Sequence, residues 1–225
     1  MKRAPIVAVD GPAGAGKSTV ARKLAQKLGF QYVDTGAMYR ALALRALESG
    51  VDLRDEDAVS SLLADVDLTL SSDAEGRVRV RLDGEDVTDR IRTPEVNASV
   101  SLVAGYAAVR RSMTRRQREM AEAGGVVMDG RDIGTDVLPD ADVKVFLTAS
   151  LRTRARRRQE ELSRQGFHLT LDQLMREIGH RDRLDRERPV APLRRADDAI
   201  LVDSTALTVD EVVERILTRV RDRRD

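Results

Sequence analysis

A glycine-rich segment near the N-terminus constrains the fold of this chain more than any other feature. Residues 11–18 match the phosphate-binding pattern G-x-x-x-x-G-K-[ST] in full, between the apolar run Ile6–Val9 and the helical stretch Lys17–Leu28. In such a strand–loop–helix unit, glycines let backbone N–H groups turn toward a phosphate, and the helix N-terminus adds a positive dipole end. The predicted phosphate site comprises Gly11, Pro12, Ala13, Gly14, Ala15, Gly16, Lys17, Ser18 and Thr19.

Two side chains of this loop have predicted chemical roles. A lysine at the position of Lys17 reaches the β- and γ-phosphates, and the hydroxyl of Ser18 is placed to bind Mg²⁺. A chance glycine-rich turn is the alternative, but it would not explain a full match between a strand and a helix. The loop predicts a nucleotide-binding protein and leaves the reaction open.

Short apolar runs alternate with long helical stretches along most of the chain. The runs are rich in Val and Ile, as expected for strands buried on both faces. This alternation indicates an α/β fold with a mainly parallel sheet covered by helices on both sides. The predicted strands are Ile6–Val9, Gln31–Val33, Val126–Met128, Val143–Leu147 and Ile200–Val202, and the predicted helices include Lys17–Leu28, Ala37–Glu48, Pro94–Glu122 and a last helix opened by the capping-box pair Thr208 and Glu211.

One segment has a period of two instead. Apolar residues alternate with polar ones over residues 66–70 and again over residues 78–82. Asp73–Gly76 separates these runs, and Asp83-Gly84 follows them as a strong hairpin-turn signal. We therefore predict a small antiparallel insert of about three strands, within about residues 63–96.

Composition narrows the classes of partner. The chain has 225 residues, enough for one α/β domain over residues 1–225, and its net charge is only +1 with 3% aromatic residues. Nucleic-acid-binding domains normally have a basic excess and aromatic stacking platforms, so we expect no nucleic-acid partner. There is no cysteine for disulfides or thiolate chemistry. The run Ile6–Val9 is too short for a signal peptide or membrane span, so we expect a cytoplasmic protein without a membrane partner.

Polar residues follow two of the predicted strands, at the sheet edge where α/β proteins bind ligands. Asp34, Thr35 and Arg40 follow the second strand, and a helix N-cap with a solvated arginine is the alternative explanation. Asp129, directly after the strand Val126–Met128, is placed where such proteins hold a Mg²⁺-organising carboxylate. The loop that follows contains Arg131 and Asp132, for which a salt-bridged turn is the alternative.

Two helices carry arginines at helical spacing. Arg154, Arg157 and Arg158 lie three to four residues apart, and Gly166 could end their helix. The second group shares one helix face at spacings of four and three, and comprises Arg181, Asp185 and Arg188. Either group alone could be an ordinary solvated face of mixed charge.

Taken together, these motifs resemble those of bacterial cytidylate kinases. The resemblance covers nearly the whole chain; its motifs are Gly11–Thr19, Asp34–Arg40, Gly130–Thr135, Arg181–Arg186, Pro189–Leu193 and Asp203–Thr205. Departures are slight: Ser18 stands where some members have Gly or Thr, and Thr35 where many have Ser. The resemblance implies a P-loop kinase fold with a five-stranded parallel sheet, an insert that closes over CMP, and a mobile helical lid at about residues 151–166.

The resemblance also implies an activity and a set of site residues. ATP, with Mg²⁺, would phosphorylate CMP or dCMP, and we expect a monomer. Arg154, Arg157 and Arg158 would join the P-loop on the ATP side, and Ser18, Asp34 and Asp129 would organise the metal. The expected CMP-binding residues are Asp34, Thr35, Arg40, Ser101, Arg110, Arg131, Asp132, Arg181, Asp185 and Arg188, and the expected catalytic residues are Lys17, Arg131, Arg158 and Arg181.

The chemistry of this reaction needs no general base, because the attacking phosphate oxygen of CMP is already ionised. His168 and His180 form no plausible catalytic pair, which agrees with this expectation. Other P-loop small-molecule kinases, acting on UMP, thymidylate or shikimate, are the nearest alternative. A GTPase-like switch is disfavoured because the guanine-reading motif Asn-Lys-x-Asp does not occur.

Overall fold

A computed structural model describes residues 3–72, 77–164 and 166–222 of the chain. Its strands, numbered in chain order, are β1 (Ala4–Asp10), β2 (Gln31–Asp34), β3 (Leu68–Ser72), β4 (Val78–Leu82), β5 (Glu85–Asp86), β6 (Gly124–Gly130), β7 (Val143–Thr148) and β8 (Ile200–Asp203). Its helices are α1 (Lys17–Leu28), α2 (Thr35–Glu48), α3 (Glu56–Ser61), α4 (Pro94–Val103), α5 (Ala107–Ala121), α6 (Leu151–Arg164), α7 (Leu171–Glu187) and α8 (Val209–Asp222).

Five strands form one parallel sheet in the order β2-β6-β1-β7-β8, which confirms the predicted fold class. The central strand β1 explains why the sheet is covered on both sides. Val7 and Val9 point into the larger core, whereas Ile6 and Ala8 point into a second core on the opposite face. Because β1 lies between β6 and β7, the phosphate-binding loop leaves from the middle of the sheet, beside the loop that follows β6.

The predicted insert is a separate antiparallel sheet in the order β3-β4-β5. Its second turn has the backbone that the sequence predicts, with φ of 52° at Asp83 and 83° at Gly84. The turn predicted at Asp73–Gly76 lies outside the described residues. Arg45 on α2 pairs with Asp83 at 3.7 Å, which ties the insert to the main domain above the second strand.

The single helix predicted over Pro94–Glu122 is wrong, because the structure has two helices with a break at residues 104–106. At the break, Tyr106 adopts an extended backbone and its hydroxyl donates to the Leu53 carbonyl at 2.6 Å. The Ala104 carbonyl accepts from Arg110 Nη1 at 3.1 Å. A hydrogen bond to the distant Leu53 and one from Arg110 therefore hold the break in place, and the second also positions Arg110.

The last helix forms as predicted. Thr208 and Glu211 bond reciprocally in a capping box. The buried apolar residues of α8 are Val212, Val213, Ile216, Leu217 and Val220. Within the described part of the chain, no helix is both long and apolar enough to cross a membrane.

Candidate active site

A cleft of about 1310 Å³ lies at the carboxyl ends of β1, β2 and β6. It is bordered by the phosphate-binding loop, the start of α2, α4, the loop after β6, and the facing sides of α6 and α7. Of all the site residues predicted from the sequence, only Gly11, Pro12 and Arg154 do not line it. The tertiary structure thus brings together, in one cavity, the phosphate-binding loop, the polar residues that follow β2 and β6, and the arginines of α6 and α7.

The phosphate-binding loop has the geometry that its glycines predict. Gly14 and Gly16 have φ of 74° and 91°, a region that favours glycine. A Cβ on Gly11 would lie 1.9 Å from the Leu147 carbonyl oxygen, so the chain can pass β7 only as glycine. The loop ends at the N-terminus of α1, whose first N–H groups have no side-chain cap and are available to a phosphate.

Lys17 lies buried within this loop. Its ammonium donates to the Pro12 carbonyl at 2.8 Å. Burial, followed by the nearby positive charge of Arg131, holds the pKa of Lys17 well below its usual range. An anion in the cleft would offset both effects and favour the charged lysine.

Two carboxylates lie side by side next to Lys17. Asp34 and Asp129 are opposite each other in the parallel pairing of β2 with β6. Ser18 Oγ donates to Asp129 Oδ2 at 3.2 Å, and the Tyr32 hydroxyl donates to Oδ1 at 2.7 Å. Burial, and then the charge of Asp34, raise the pKa of Asp129 to about 6. Two adjacent carboxylates and a hydroxyl suit a hard divalent cation that keeps water or phosphate oxygens as its other ligands.

Asp34 also organises the start of α2. Its carboxylate caps the helix by accepting from Ala37 N at 3.0 Å, as the alternative reading of the sequence proposed. Arg40 is not solvated, however: its Nε donates to Asn97 Oδ1 at 3.2 Å and its side chain is 19% exposed. Arg92, which sequence reasoning missed, lies 3.7 Å from Asp34. No spacing signal marks Arg92 or Asn97, because they reach the cleft only through the packing of α4 and the turn before it against α2.

Asp132 is held by two arginines from different helices. Its carboxylate pairs with Arg110 and, at 3.1 Å, with Arg188, and all three side chains are buried. The Arg110 guanidinium also lies 5.6 Å from the centre of the Tyr39 ring, within cation–π distance. The result is a buried polar cluster that holds the Asp132 carboxylate in place in the cleft.

The face of α7 that contains Asp185 turns into the cleft, so a solvated face is ruled out for this helix. Asp185 accepts from Arg131 Nε at 2.8 Å and from Ser101 Oγ at 3.2 Å. Arg181 lies on the same face, and its Nε has no hydrogen-bond partner among the described residues. Burial and the charge of Arg131 lower the pKa of Arg181 to about 9, although Asp185 acts in the opposite direction.

The arginines of α6 differ in their surroundings. Arg157 donates to the carbonyls of Ala15 and Ser204, and so links α6 to the phosphate-binding loop. Arg158 lines the cleft beside Glu161, its salt-bridge partner at 2.8 Å.

Arg154, which we expect on the ATP side together with these two residues, does not line the cleft. Arg154 is buried, donates to the carbonyls of Ala13 and Ala149, and pairs with Asp182 at 2.7 Å. Its donors are committed to protein acceptors, because the first turn of α6 packs directly on the phosphate-binding loop. Arg154 therefore holds the first turn of α6 against the phosphate-binding loop and α7.

Comparison with known proteins places these features in a family. The family model described as cytidylate kinase matches residues 7–222. A protein named cytidylate kinase from Geobacillus kaustophilus (strain HTA426) is 56% identical over 99% of this chain and 99% of that protein. A protein of the same name from Pelotomaculum thermopropionicum is 55% identical over 98% of this chain and 97% of that protein. The crystal structure of a gluconokinase from Sinorhizobium meliloti 1021 has a TM-score of 0.51 at 17% identity, covering 98% of this chain and 94% of that one, and so shares the fold alone.

Proposed function

We propose, on the premise that this chain belongs to the cytidylate kinase family, that the two halves of its cleft hold ATP and CMP side by side. The reaction is phosphoryl transfer from ATP to CMP or dCMP, which gives ADP and CDP or dCDP. The ATP side comprises Gly11–Thr19, Arg157 and Arg158. The CMP side comprises Asp34, Thr35, Arg40, Ser101, Arg110, Arg131, Asp132, Arg181, Asp185 and Arg188.

A concentration of positive charge where the two halves of the cleft meet carries this proposal. Lys17 and Arg181 both have a lowered pKa, caused first by burial and next by Arg131. Cations crowded together away from water are unfavourable unless an anion neutralises them. The phosphates of two nucleotides would supply that charge, and they would meet where these cations converge.

Catalysis in this cleft is proposed to rest on positioning and charge neutralisation. The phosphate oxygen of CMP attacks the terminal phosphorus of ATP in line, and the bond to the ADP oxygen breaks. Lys17, Arg131, Arg158 and Arg181 would balance the negative charge that gathers on the transferred group. The two histidines, His168 and His180, are exposed, and the reaction asks for no proton acceptor.

Ser18, Asp34 and Asp129 fit a magnesium ion. Burial, and then the charge of Asp34, raise the pKa of Asp129, and a divalent cation would offset both effects. When bound, Mg²⁺ would neutralise phosphate oxygens of ATP. The hydrogen bond from Ser18 to Asp129 keeps these groups in place.

The part of the cleft that contains Asp132 and Asp185 is proposed to recognise the base and the sugar of the nucleotide. Cytosine has an amino group where uracil has a carbonyl, and a carboxylate accepts from the former but repels the latter. Asp132, fixed by Arg110 and Arg188, is suited to make that distinction. Asp185 is proposed to bind a sugar hydroxyl, because an aspartate among arginines has little reason to face a phosphate.

A steady-state assay of CMP, dCMP, UMP and AMP with Mg-ATP tests the proposal. We expect CMP and dCMP to have the highest kcat/KM, and Asp132→Ala to narrow the preference over UMP. Phosphorylation of UMP or AMP as efficient as that of CMP would instead favour another small-molecule kinase. Our proposal further includes a cytoplasmic monomer without a nucleic-acid partner, and light scattering of the purified protein tests the monomer.

A further inference from the structure

A buried carboxylate links the phosphate-binding loop to the loop that carries Arg131 and Asp132. Asp10 is the last residue of β1, directly before Gly11, and is 5% exposed. Its Oδ1 accepts a hydrogen bond from Ile133 N at 2.8 Å, and its Oδ2 accepts one from Gly134 N at 2.7 Å. Both carboxylate oxygens are therefore engaged by the turn that follows β6.

We propose that Asp10 is a positioning residue that sets the CMP-binding loop relative to the phosphate-binding loop. Arg131 and Asp132 come immediately before the two amides that Asp10 holds, so a loosened turn would displace both side chains. β1 and β6 are paired up to Asp10 and Gly130, where the two loops diverge. Beyond that point, the bonds of Asp10 hold the loops together.

Close packing leaves the turn little freedom on its other sides. A Cβ on Gly130 would lie 2.7 Å from Ile133 Cδ1 and 2.7 Å from Thr35 Oγ1. Ile133 itself is 1% exposed. In such a packed site, a small shift reaches the functional side chains, and a misplacement of about 1 Å can cost about a hundredfold in rate.

The electrostatic surroundings show that Asp10 is more than a space-filling residue. Burial raises its pKa to about 7, opposed by the two amide bonds and Lys17 and reinforced by Asp132. A neutral side chain would fill this space at less cost. Holding two N–H groups, however, requires two acceptor oxygens, and asparagine has only one.

Two variants approach the same contact from opposite sides. Asp10→Asn removes one acceptor oxygen from the strand side. Gly134→Ala is a milder change on the loop side: its Cβ would lie in van der Waals contact with Asp10 Oδ2, at 3.4 Å, and closer, at 3.2 Å, to the flexible stem of Lys144. Asp142→Asn is the matched control: Asp142 also accepts from an amide of β1, Ile6 N at 2.7 Å, but at the opposite end of the strand.

We expect Asp10→Asn to lower kcat/KM for CMP about tenfold or more, as for the loss of a hydrogen bond to a charged group. The CMP/UMP preference should narrow, the KM for ATP should stay within about twofold, and the amides of Ile133 and Gly134 should exchange hydrogen faster. Gly134→Ala should lower kcat/KM for CMP less than Asp10→Asn does. In the double variant, the fold decrease in kcat/KM should be smaller than the product of the two single-variant decreases. Asp142→Asn should match the wild type.

An equal rise of the KM values for ATP and CMP in Asp10→Asn would overturn the inference, as would kinetics identical to those of Asp142→Asn. If Asp10→Asn does not fold, Gly134→Ala provides the test with the same readouts. The inference rests on the proposed binding of CMP by Arg131 and Asp132. If Asp132→Ala has wild-type kinetics with CMP, that basis is lost. If Asp132→Ala has impaired kinetics with CMP but Asp10→Asn has normal kinetics, only the role of Asp10 is overturned.

Discussion

Arg154 and Asp182 form a buried ion pair, 2.7 Å apart, between the first turn of α6 and the middle of α7. The same guanidinium donates to the Ala13 carbonyl at 2.9 Å, so one side chain joins α6 and α7 to the phosphate-binding loop. Gly14 belongs to this contact, since a Cβ there would lie 3.1 Å from Arg154 Cβ. The first turn of α6 and the phosphate-binding loop therefore form one packed unit.

Arg154→Met should destabilise the protein by about 3–5 kcal/mol, because it leaves Asp182 buried without its cation. The double variant Arg154→Met/Asp182→Leu should recover part of that loss. Urea unfolding measures both. Lys23→Ala, which breaks the exposed pair between Lys23 and Asp210, should cost at most about 1 kcal/mol. Equal destabilisation by Arg154→Met and Lys23→Ala would show that the buried pair has no special role.

Lys17→Ala should leave the fold intact and lower kcat by about a thousandfold, because clamps on the transferred phosphoryl group are worth 10³ or more. Steady-state kinetics, with circular dichroism to confirm folding, measure this change. Because burial and the charge of Arg131 disfavour the charged form of Lys17, the variant without nucleotide should be at least as stable as the wild type. Turnover near the wild-type rate in the folded variant would refute the role of the loop.

Asp185→Ala and Arg181→Met should separate binding from catalysis on one helix face. Loss of a charged hydrogen bond costs about 1.5–3 kcal/mol, so Asp185→Ala should raise the KM for CMP about tenfold to a hundredfold. The CMP/dCMP ratio should change if the 2′-hydroxyl is its partner. Arg181→Met should mainly lower kcat. Wild-type kinetics in both variants would mean that this face only stabilises the fold.

The pH dependence of stability should include a contribution from Asp10. Its pKa is raised from 3.8 to about 7 in the folded chain, so the native state holds this proton more tightly than the unfolded state does. The contribution to the free energy of unfolding is fully present below pH 4 and is lost as pH rises toward 7.

Comparison with Asp10→Asn isolates this contribution. From pH 4 to 7, without nucleotide, the wild type should lose stability relative to the variant by at most about 1.4 kcal/mol per pH unit. Lys17, Asp132 and Lys144 lie around Asp10 and remain in both proteins. Chemical denaturation at a series of pH values gives the slopes. A difference that does not change with pH would mean that Asp10 stays ionised throughout.

Local patterns were enough to predict the strands, the hairpin at Asp83-Gly84 and the phosphate-binding loop. Each depends on residues close in sequence: apolar periodicity, a turn that favours positive φ, and glycines between a strand and a helix. Even the bounds of α1 agree with the prediction, because Gly16 precedes it and Gly29 ends it in a left-handed conformation. The resemblance to cytidylate kinases added the grouping of the arginines, which helical spacing alone left open.

The tertiary structure decided what depends on partners distant in sequence. The break before α5 arises where Tyr106 reaches Leu53, and neither periodicity nor spacing could reveal that contact. Arg154 lies one helical turn before Arg157 and Arg158 in sequence, yet it points into the protein because it forms an ion pair with Asp182 on α7. The sequence alone thus determined which groups could bind phosphate, whereas the fold decided which of them face the cleft, because burial and ion pairing depend on all the elements that surround a side chain.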